Sequence, residues 1–325
     1  MPVNKQLARS RYRFHYVRIA DTDDGGAKQA GVDRHCGHKK RNFGRPSFFE
    51  VRYMPINPRI VLLGAGRVAG QLGPALARAG YPIVAVWSRQ AASAAALAAP
   101  LGAVALSGPA PDLTQAPAAD LYLLAVPDDA APQVLAAARW PAGALVAHTS
   151  GTLPLALFEA RPELRGGVFY PLQTFSPGRA IAWPAVPLLL EAADADGLAT
   201  LTAVASSLSQ RVLPVATAQR RQLHVAAVFA SNFTNHLLGL ADALLTEAHL
   251  PAGLLTPLVR ETVDKALHHP PFTVQTGPAI RHDAATIAAH TAALAAHPRW
   301  QALYAQLTAS IQATAAETNS AQPQV

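Results

Sequence analysis

Residues 59–70 read Arg-Ile-Val-Leu-Leu-Gly-Ala-Gly-Arg-Val-Ala-Gly, and residues 82–89 read Pro-Ile-Val-Ala-Val-Trp-Ser-Arg. Ile60 to Leu63 is an unbroken apolar run of strand length. The chain turns at Gly64 and Gly66, enters a helical run that ends near Gly80, and resumes with a second apolar run, Ile83 to Trp87. Strand, glycine turn, helix and strand in that order are the context in which a dinucleotide-binding fingerprint has meaning. Gly64 allows the tight turn, Gly66 lets the backbone approach a pyrophosphate, Ala69 is the third small residue, and Gly70 adds room for helix–strand packing. The helix start then offers unpaired N–H groups and a positive dipole end to phosphate. The alternative is a doubly wound domain whose glycines only make a turn.

The end of the second strand bears on which dinucleotide. NAD-binding domains place Asp or Glu there to accept from the ribose hydroxyls; this chain has Ser88 and Arg89. An acidic group would repel a 2′-phosphate, whereas Arg89 attracts one, Ser88 can donate to it, and Arg67 can add a second positive charge. A hydrogen bond to a charged group contributes about 1.5–3 kcal/mol, roughly tenfold to a hundredfold in affinity. The candidate cofactor contacts are therefore Gly64, Ala65, Gly66, Arg67, Val68, Ser88 and Arg89, and the expected cofactor is NADP. The other reading of Arg89 is a solvated surface side chain.

The 325 residues suffice for two domains and a sizeable core. No run of about twenty residues is free of proline and charge, so no membrane span is expected. The N-terminus lacks a positive-then-apolar signal pattern, which makes the expected location cytoplasmic. Cys36 is the one cysteine, which leaves no intrachain disulfide and no cysteine zinc cage. The net charge of +7 is unevenly placed: 12 Lys/Arg face 5 Asp/Glu before Met54, and 15 of each follow from Met54 on. The body of the chain has no basic excess to suggest nucleic acid. Residues 1–55 are rich in charge and glycine, lack a sustained period, and are expected to be a disordered basic extension. His35, Cys36 and His38 lie there, too few ligands for a metal site; a basic tail that binds nucleic acid is the other possibility for this segment.

Residues 56–217 continue as alternating strand and helix signals. Leu121–Val126 is an apolar run typical of a buried parallel strand. It stops at Pro127-Asp128-Asp129, where either aspartate can cap a helix running to about Arg139. Ser107–Pro117 reads as Pro/Gly-rich loop. Ala144–Ala147 is the next strand and ends at His148-Thr149-Ser150-Gly151. Ligands bind beyond the carboxyl ends of such strands, which adds Val126, Pro127, Asp128, His148 and Ser150 to the candidate cofactor contacts. Further strands are expected at Gly166–Phe175, Val186–Leu190 and Arg211–Val215. From about residue 218 only helical runs remain, the first near Gln219–Ala248, to about residue 316; residues 317–325 read as a disordered tail. The expected fold class is α/β, a Rossmann-type doubly wound, mostly parallel sheet followed by an all-helical C-terminal domain.

The first long helix carries His224, Ser231, Asn232 and Asn235 among apolar neighbours. At 100° per residue, His224, Ser231 and Asn235 share one stripe with Asn232 at its edge. Such groups either bond within a core or face a cavity. In the second case His224 is the general acid or base, since histidine transfers protons near neutral pH, and Asn232 orients the substrate. Thr276–Asp283 is the other dense motif. There Arg281 either clamps a substrate carboxylate or pairs with Asp283, and Asp283 can cap the helix carrying His290.

Taken together, the Gly64–Gly70 turn, Ala125-Val126-Pro127-Asp128, Tyr170-Pro171-Leu172-Gln173-Thr174-Phe175, His224 with Ala230-Ser231-Asn232-Phe233, and Thr276-Gly277-Pro278 with Arg281 and Asp283 resemble the Rossmann-like proteins with a DUF2520 C-terminal domain. That family is grouped with F420-dependent NADP oxidoreductase-like and 6-phosphogluconate dehydrogenase-like folds. The resemblance covers about Arg59 to Ala313 and implies an NADP-binding domain followed by a helical domain that builds a homodimer. Family members often have His where this chain has Tyr170. More distant β-hydroxyacid dehydrogenase and ketopantoate reductase relatives carry a catalytic lysine on the long helix. Here His224 and Asn232 stand there, and Lys265 is the only lysine after Met54, so the lysine mechanism is not expected to be copied. The expected function is NADP-dependent hydride transfer to or from a small carbonyl, imine or hydroxy substrate held between the domains, with His224, Asn232, Arg281 and Asp283 as candidate catalytic residues. The alternative is a nucleotide-binding sensor or structural dimer without turnover.

Overall fold

Along β1 (Ile60–Leu63) every side chain is fully buried. Successive strand side chains point to opposite faces, and the two faces are covered by different elements. Ile60 and Leu62 pack with Leu72, Leu76 and Leu201, while Val61 and Leu63 pack with Trp87, Tyr122 and Val134. Burial on both sides explains why the strand reads as a continuous apolar run rather than an alternating one.

The structure is a computed structural model, and it describes residues 57–176 and 178–320. The basic segment before Asn57, with its His35-Cys36-His38 cluster, and the last five residues lie outside the described residues. The remaining strands are β2 (Ile83–Ser88), β3 (Val104–Ser107), β4 (Leu121–Leu124), β5 (Leu145–His148), β6 (Arg165–Pro171), β7 (Leu188–Ala192) and β8 (Val212–Pro214). They form one sheet in the order β3-β2-β1-β4-β5-β6-β7-β8. Every neighbouring pair is parallel except β6 and β7. The helices between them are α1 (Arg67–Arg78), α2 (Ala91–Ala98), α3 (Ala131–Ala137) and α4 (Ala195–Ser206). This is the expected Rossmann-type sheet.

Several local expectations are corrected. β3, a strand the sequence reading did not include, is four residues long and mostly exposed, and it ends at Ser107 where the expected loop begins. α3 begins at Ala131 and has no side-chain cap. Neither Asp128 nor Asp129 caps it, because the Asp128 carboxylate is engaged by Ser150 and Thr152. The close helix–strand approach is at Gly73, where an added Cβ would lie 2.7 Å from Leu62 Cδ1, and not at Gly70, which has open space around it.

The helical part consists of α5 (Thr217–Ala227), α6 (Thr234–Glu247), α7 (Thr256–His268), α8 (Ala284–Ala293) and α9 (Pro298–Ser320). Residues 317–320, expected to belong to a tail, continue α9. α5 and α6 are joined by a wide π turn, Val228–Phe233. A π turn takes one residue more than an α turn, so the side chains after it are rotated by about 100° relative to a regular helix. The polar stripe expected from a regular period is therefore interrupted between His224 and Asn235. Among the described residues no helix is long and apolar enough to cross a membrane, and no group of three or more His, Cys, Asp or Glu could hold a metal ion.

Candidate active site

At the carboxyl edge of the sheet, β1 ends in a turn that only glycine can make. Gly64 has φ +113°, and an added Cβ would lie 2.3 Å from the Ala125 carbonyl oxygen. Its N–H donates to the Trp87 carbonyl at 2.7 Å, fixing the turn against β2. The chain then enters α1 through Gly66, whose side has open space and which offers no side-chain cap; no acidic residue stands in the first turn. The first N–H groups of α1 are thus available to an anion. A cleft of about 530 Å³ opens beside them, lined by Gly64, Ala65, Gly66, Trp87, Ser88, Arg89, Val126 and Pro127 among others. Arg67 and Val68 form the start of α1. Arg89 is exposed and makes no ion pair among the described residues. Glycine backbone, free helix N–H groups and an unpaired guanidinium fit the pyrophosphate and ribose phosphate of a dinucleotide.

The next loop, after β5, is held from within. Ser150 Oγ donates to Asp128 Oδ2 at 2.7 Å and accepts from the N–H groups of Thr152 and Leu153, both at 3.0 Å. Thr152 Oγ1 also donates to Asp128. The Ser150 hydroxyl and the Asp128 carboxylate therefore tie the β4 and β5 ends together. His148 is fully buried, with its ring stacked on Phe158 at 6.0 Å between centroids. Its Nδ1 accepts from the Ser150 N–H at 3.2 Å, which puts the proton of the neutral ring on Nε2. Burial, and then the nearby Arg220 charge, lower its pKa to about 4. His148 and Ser150, both buried, shape the loop from inside.

Beyond this loop two chain segments meet. Tyr170, near the end of β6, places its hydroxyl 3.1 Å from Nδ1 of His224 on α5. The rings meet edge to face with centroids 6.0 Å apart. Gly151 lies against both: a Cβ there would come within 2.5 Å of His224 Nδ1 and 2.9 Å of Tyr170 Cζ. Burial pushes the Tyr170 phenol up from its ordinary value.

α5 is held over the sheet edge by its first turn. Arg220 is fully buried and its Nη1 lies 2.5 Å from Glu191 Oε2 on β7; Nη2 donates to the Leu153 carbonyl. Glu191 also accepts from the Thr217 N–H at 3.0 Å and hydroxyl at 2.8 Å, and Thr217 Oγ1 accepts from the Leu155 N–H at 3.1 Å. Arg221, the next residue, is exposed and donates to the Thr152 carbonyl at 2.8 Å. Nothing in Gln219-Arg220-Arg221-Gln222 distinguishes the buried arginine from the exposed one, so sequence reasoning passes over Arg220 and Glu191. Tyr170 stands out in the sequence only as a departure from a family pattern.

The remaining candidates make no hydrogen bond or ion pair with this group among the described residues. Asn232 is exposed within the π turn and its side chain makes no hydrogen bond among the described residues. Asp283 caps α8, accepting from the Thr286 N–H at 3.1 Å and hydroxyl at 2.8 Å, and those bonds hold its carboxyl below the usual range. Arg281 is exposed and forms no ion pair with Asp283.

Comparison with known proteins agrees with this architecture. A Rossmann-like domain family matches residues 52–163, and the domain of unknown function DUF2520 matches residues 186–311, taking in the last two strands as well as the helices. The chain is 39% identical to a candidate NADP oxidoreductase of Bacteroides fragilis, over 79% of this chain and 98% of that one, with a TM-score of 0.70. A Thermotoga maritima protein shares the fold at 21% identity and a TM-score of 0.59, over 80% of this chain and 99% of that one. A Streptomyces aurantiacus imine reductase shares it at 18% identity and 0.55, over 78% and 93%. No curated protein matches the chain.

Proposed function

The chain belongs to the family of Rossmann-like proteins with a DUF2520 C-terminal domain, and on that premise we propose that it is an NADP-dependent oxidoreductase acting on a small carbonyl, imine or hydroxy compound. The observation that carries the proposal is the cleft that joins the free start of α1 to Arg89 at the end of β2. The Bacteroides fragilis relative carries the same designation as a candidate NADP oxidoreductase. When bound, the reduced nicotinamide supplies a hydride. Gly66 and the α1 N–H groups hold the pyrophosphate, and Ser88 and Arg89 receive the 2′-phosphate. The Asp128–Ser150–Thr152 network fixes the loop next to the Tyr170–His224 pair, where a substrate heteroatom exchanges its proton.

The test is a titration of purified protein with NADPH and NADH, followed by fluorescence, and then NADPH oxidation against keto acids, aldehydes and cyclic imines. Tight NADPH binding, weaker NADH binding and turnover of one substrate class support the proposal. Binding of neither nucleotide overturns it, and binding without any turnover favours a sensor.

We also infer that a second copy of the chain covers the helical part. Of the large hydrophobic side chains that are exposed, all but Val104 and Leu213 lie from Val225 onward, with Leu267 77% and Phe272 69% exposed. Among the described residues after Thr217 only Arg220 and Ala279 are buried. An apolar surface on this scale marks an interface, and a two-fold pair is the commonest way for identical chains to cover one.

A further inference from the structure

The hydrogen bond between Tyr170 and His224 joins the end of β6 to α5. We propose that Tyr170 is the group that gives its proton to the substrate heteroatom and that His224 stands behind it and restores that proton; the proposal rests on the oxidoreductase reading above.

Placement comes first. β6 is parallel to β5, so the Tyr170 end of the strand lies at the same edge as the glycine turn and the Ser150 loop. Gly151 leaves room for the pair at the loop, since any side chain there would collide with both rings. His224 Nδ1 is engaged by the phenol, so a proton leaving that nitrogen passes through the tyrosine oxygen. The groups around it are otherwise committed. Asp128 is bonded to Ser150 and Thr152, His148 is buried and neutral, and Arg220 is paired with Glu191. When His224 Nδ1–H donates to the phenol oxygen, the phenol proton is left to a substrate.

The chemistry balances in either direction. As hydride reaches the carbon of a C=O or C=N group, the π pair moves onto the heteroatom, which takes the proton from Tyr170 Oη. The phenolate oxygen takes the proton of His224 Nδ1, and a solvent proton enters the ring at Nε2. Oxidation of the alcohol or amine runs the same steps backwards. The upward push of burial on the Tyr170 phenol keeps it protonated at neutral pH, ready to donate.

The test uses the full chain with Tyr170→Phe and His224→Asn. Asparagine keeps a hydrogen-bonding group near the position of Nδ1 but cannot exchange a proton. General acid catalysis contributes about a hundredfold to ten-thousandfold. Tyr170→Phe should lower kcat by at least about a hundredfold with NADPH affinity unchanged, and His224→Asn should lower it less and move the pH profile of kcat. Turnover by Tyr170→Phe within threefold of wild type, measured as a ratio of about one, overturns the proposal while the oxidoreductase reading stands. Failure of the wild-type protein to bind either nucleotide or turn over any substrate overturns both. A second measurement needs no substrate: near-ultraviolet phenolate absorbance, with Tyr170→Phe subtracted to isolate one tyrosine of the seven. His224→Asn should displace that titration, and an identical titration in wild type and His224→Asn would show the two groups uncoupled and sink the relay.

Discussion

Arg220 Nη1 lies 2.5 Å from Glu191 Oε2, with the arginine side chain fully buried and the glutamate side chain 18% exposed. This pair fastens the first turn of α5 to β7 and so sets where His224 stands. Removing one partner of a buried pair strands the other charge and costs about 3–5 kcal/mol. Glu191→Ala is therefore expected to be strongly destabilised in urea unfolding. The double change Glu191→Leu with Arg220→Met should cost less than Glu191→Ala alone, since no charge is then stranded. A double variant less stable than the single one would refute the stranded-charge explanation.

Gly151→Ala is the most local test of the site geometry. Its Cβ would sit 2.5 Å from His224 Nδ1, so either the loop or α5 must move. Overpacking of this kind costs about 1–3 kcal/mol. We expect a lower melting temperature and a large loss of turnover with NADPH affinity little changed, because the α1 end of the cleft is untouched. Wild-type turnover would show that the loop yields freely.

His148 predicts an acid-sensitive stability. The unfolded chain takes up a proton at this residue below about pH 6.5, whereas the folded chain resists until about pH 4. Its contribution is thus intact above pH 6.5 and is lost as the pH falls from 6.5 to 4, by roughly 3 kcal/mol at about 1.4 kcal/mol per unit. Replacing it with a residue that does not titrate, as in His148→Gln, should flatten the decline of stability across that window relative to wild type. Parallel curves for the two proteins would exclude His148 as the cause.

Arg89, if it receives the 2′-phosphate, decides between the two dinucleotides. Arg89→Ala should weaken NADPH binding by about tenfold to a hundredfold, the equivalent of one charged hydrogen bond, and leave NADH binding nearly unchanged. Equal weakening of both would place Arg89 on the adenine or ribose instead of the 2′-phosphate.

The exposed apolar side chains of α5 to α9 predict self-association. Sedimentation should give twice the chain mass. Leu267→Glu, on a side chain 77% exposed in the single chain, should shift the protein toward monomer. A monomeric wild-type protein would leave that surface to some other partner.

The Rossmann half was legible because its signals are local. Ile60–Leu63 and Leu121–Leu124 are short apolar runs buried on both faces, and Gly64 stands where backbone geometry admits nothing else. Ser88 and Arg89 follow from their place at the end of β2. What sequence reasoning misses depends on contacts between distant segments. Asp128 reads as a helix cap, and its actual partners are Ser150 and Thr152. The π turn at Val228–Phe233 gives no periodic warning, and it moves Ser231, Asn232 and Asn235 out of the register predicted for them.

By itself, then, the sequence determined the strands and helices of the sheet apart from β3, the glycine turn, the non-acidic end of β2 and the helical character of the chain after Thr217. The tertiary structure decided the antiparallel β6–β7 pairing, the burial of Arg220 beside an exposed Arg221, and the meeting of Tyr170 with His224 across 54 residues of chain. Periodicity and turn chemistry report each segment's own preferences. The free energy of a buried charge or of a hydrogen bond between sheet and helix depends on which residues the folded chain brings alongside, and no local pattern encodes that.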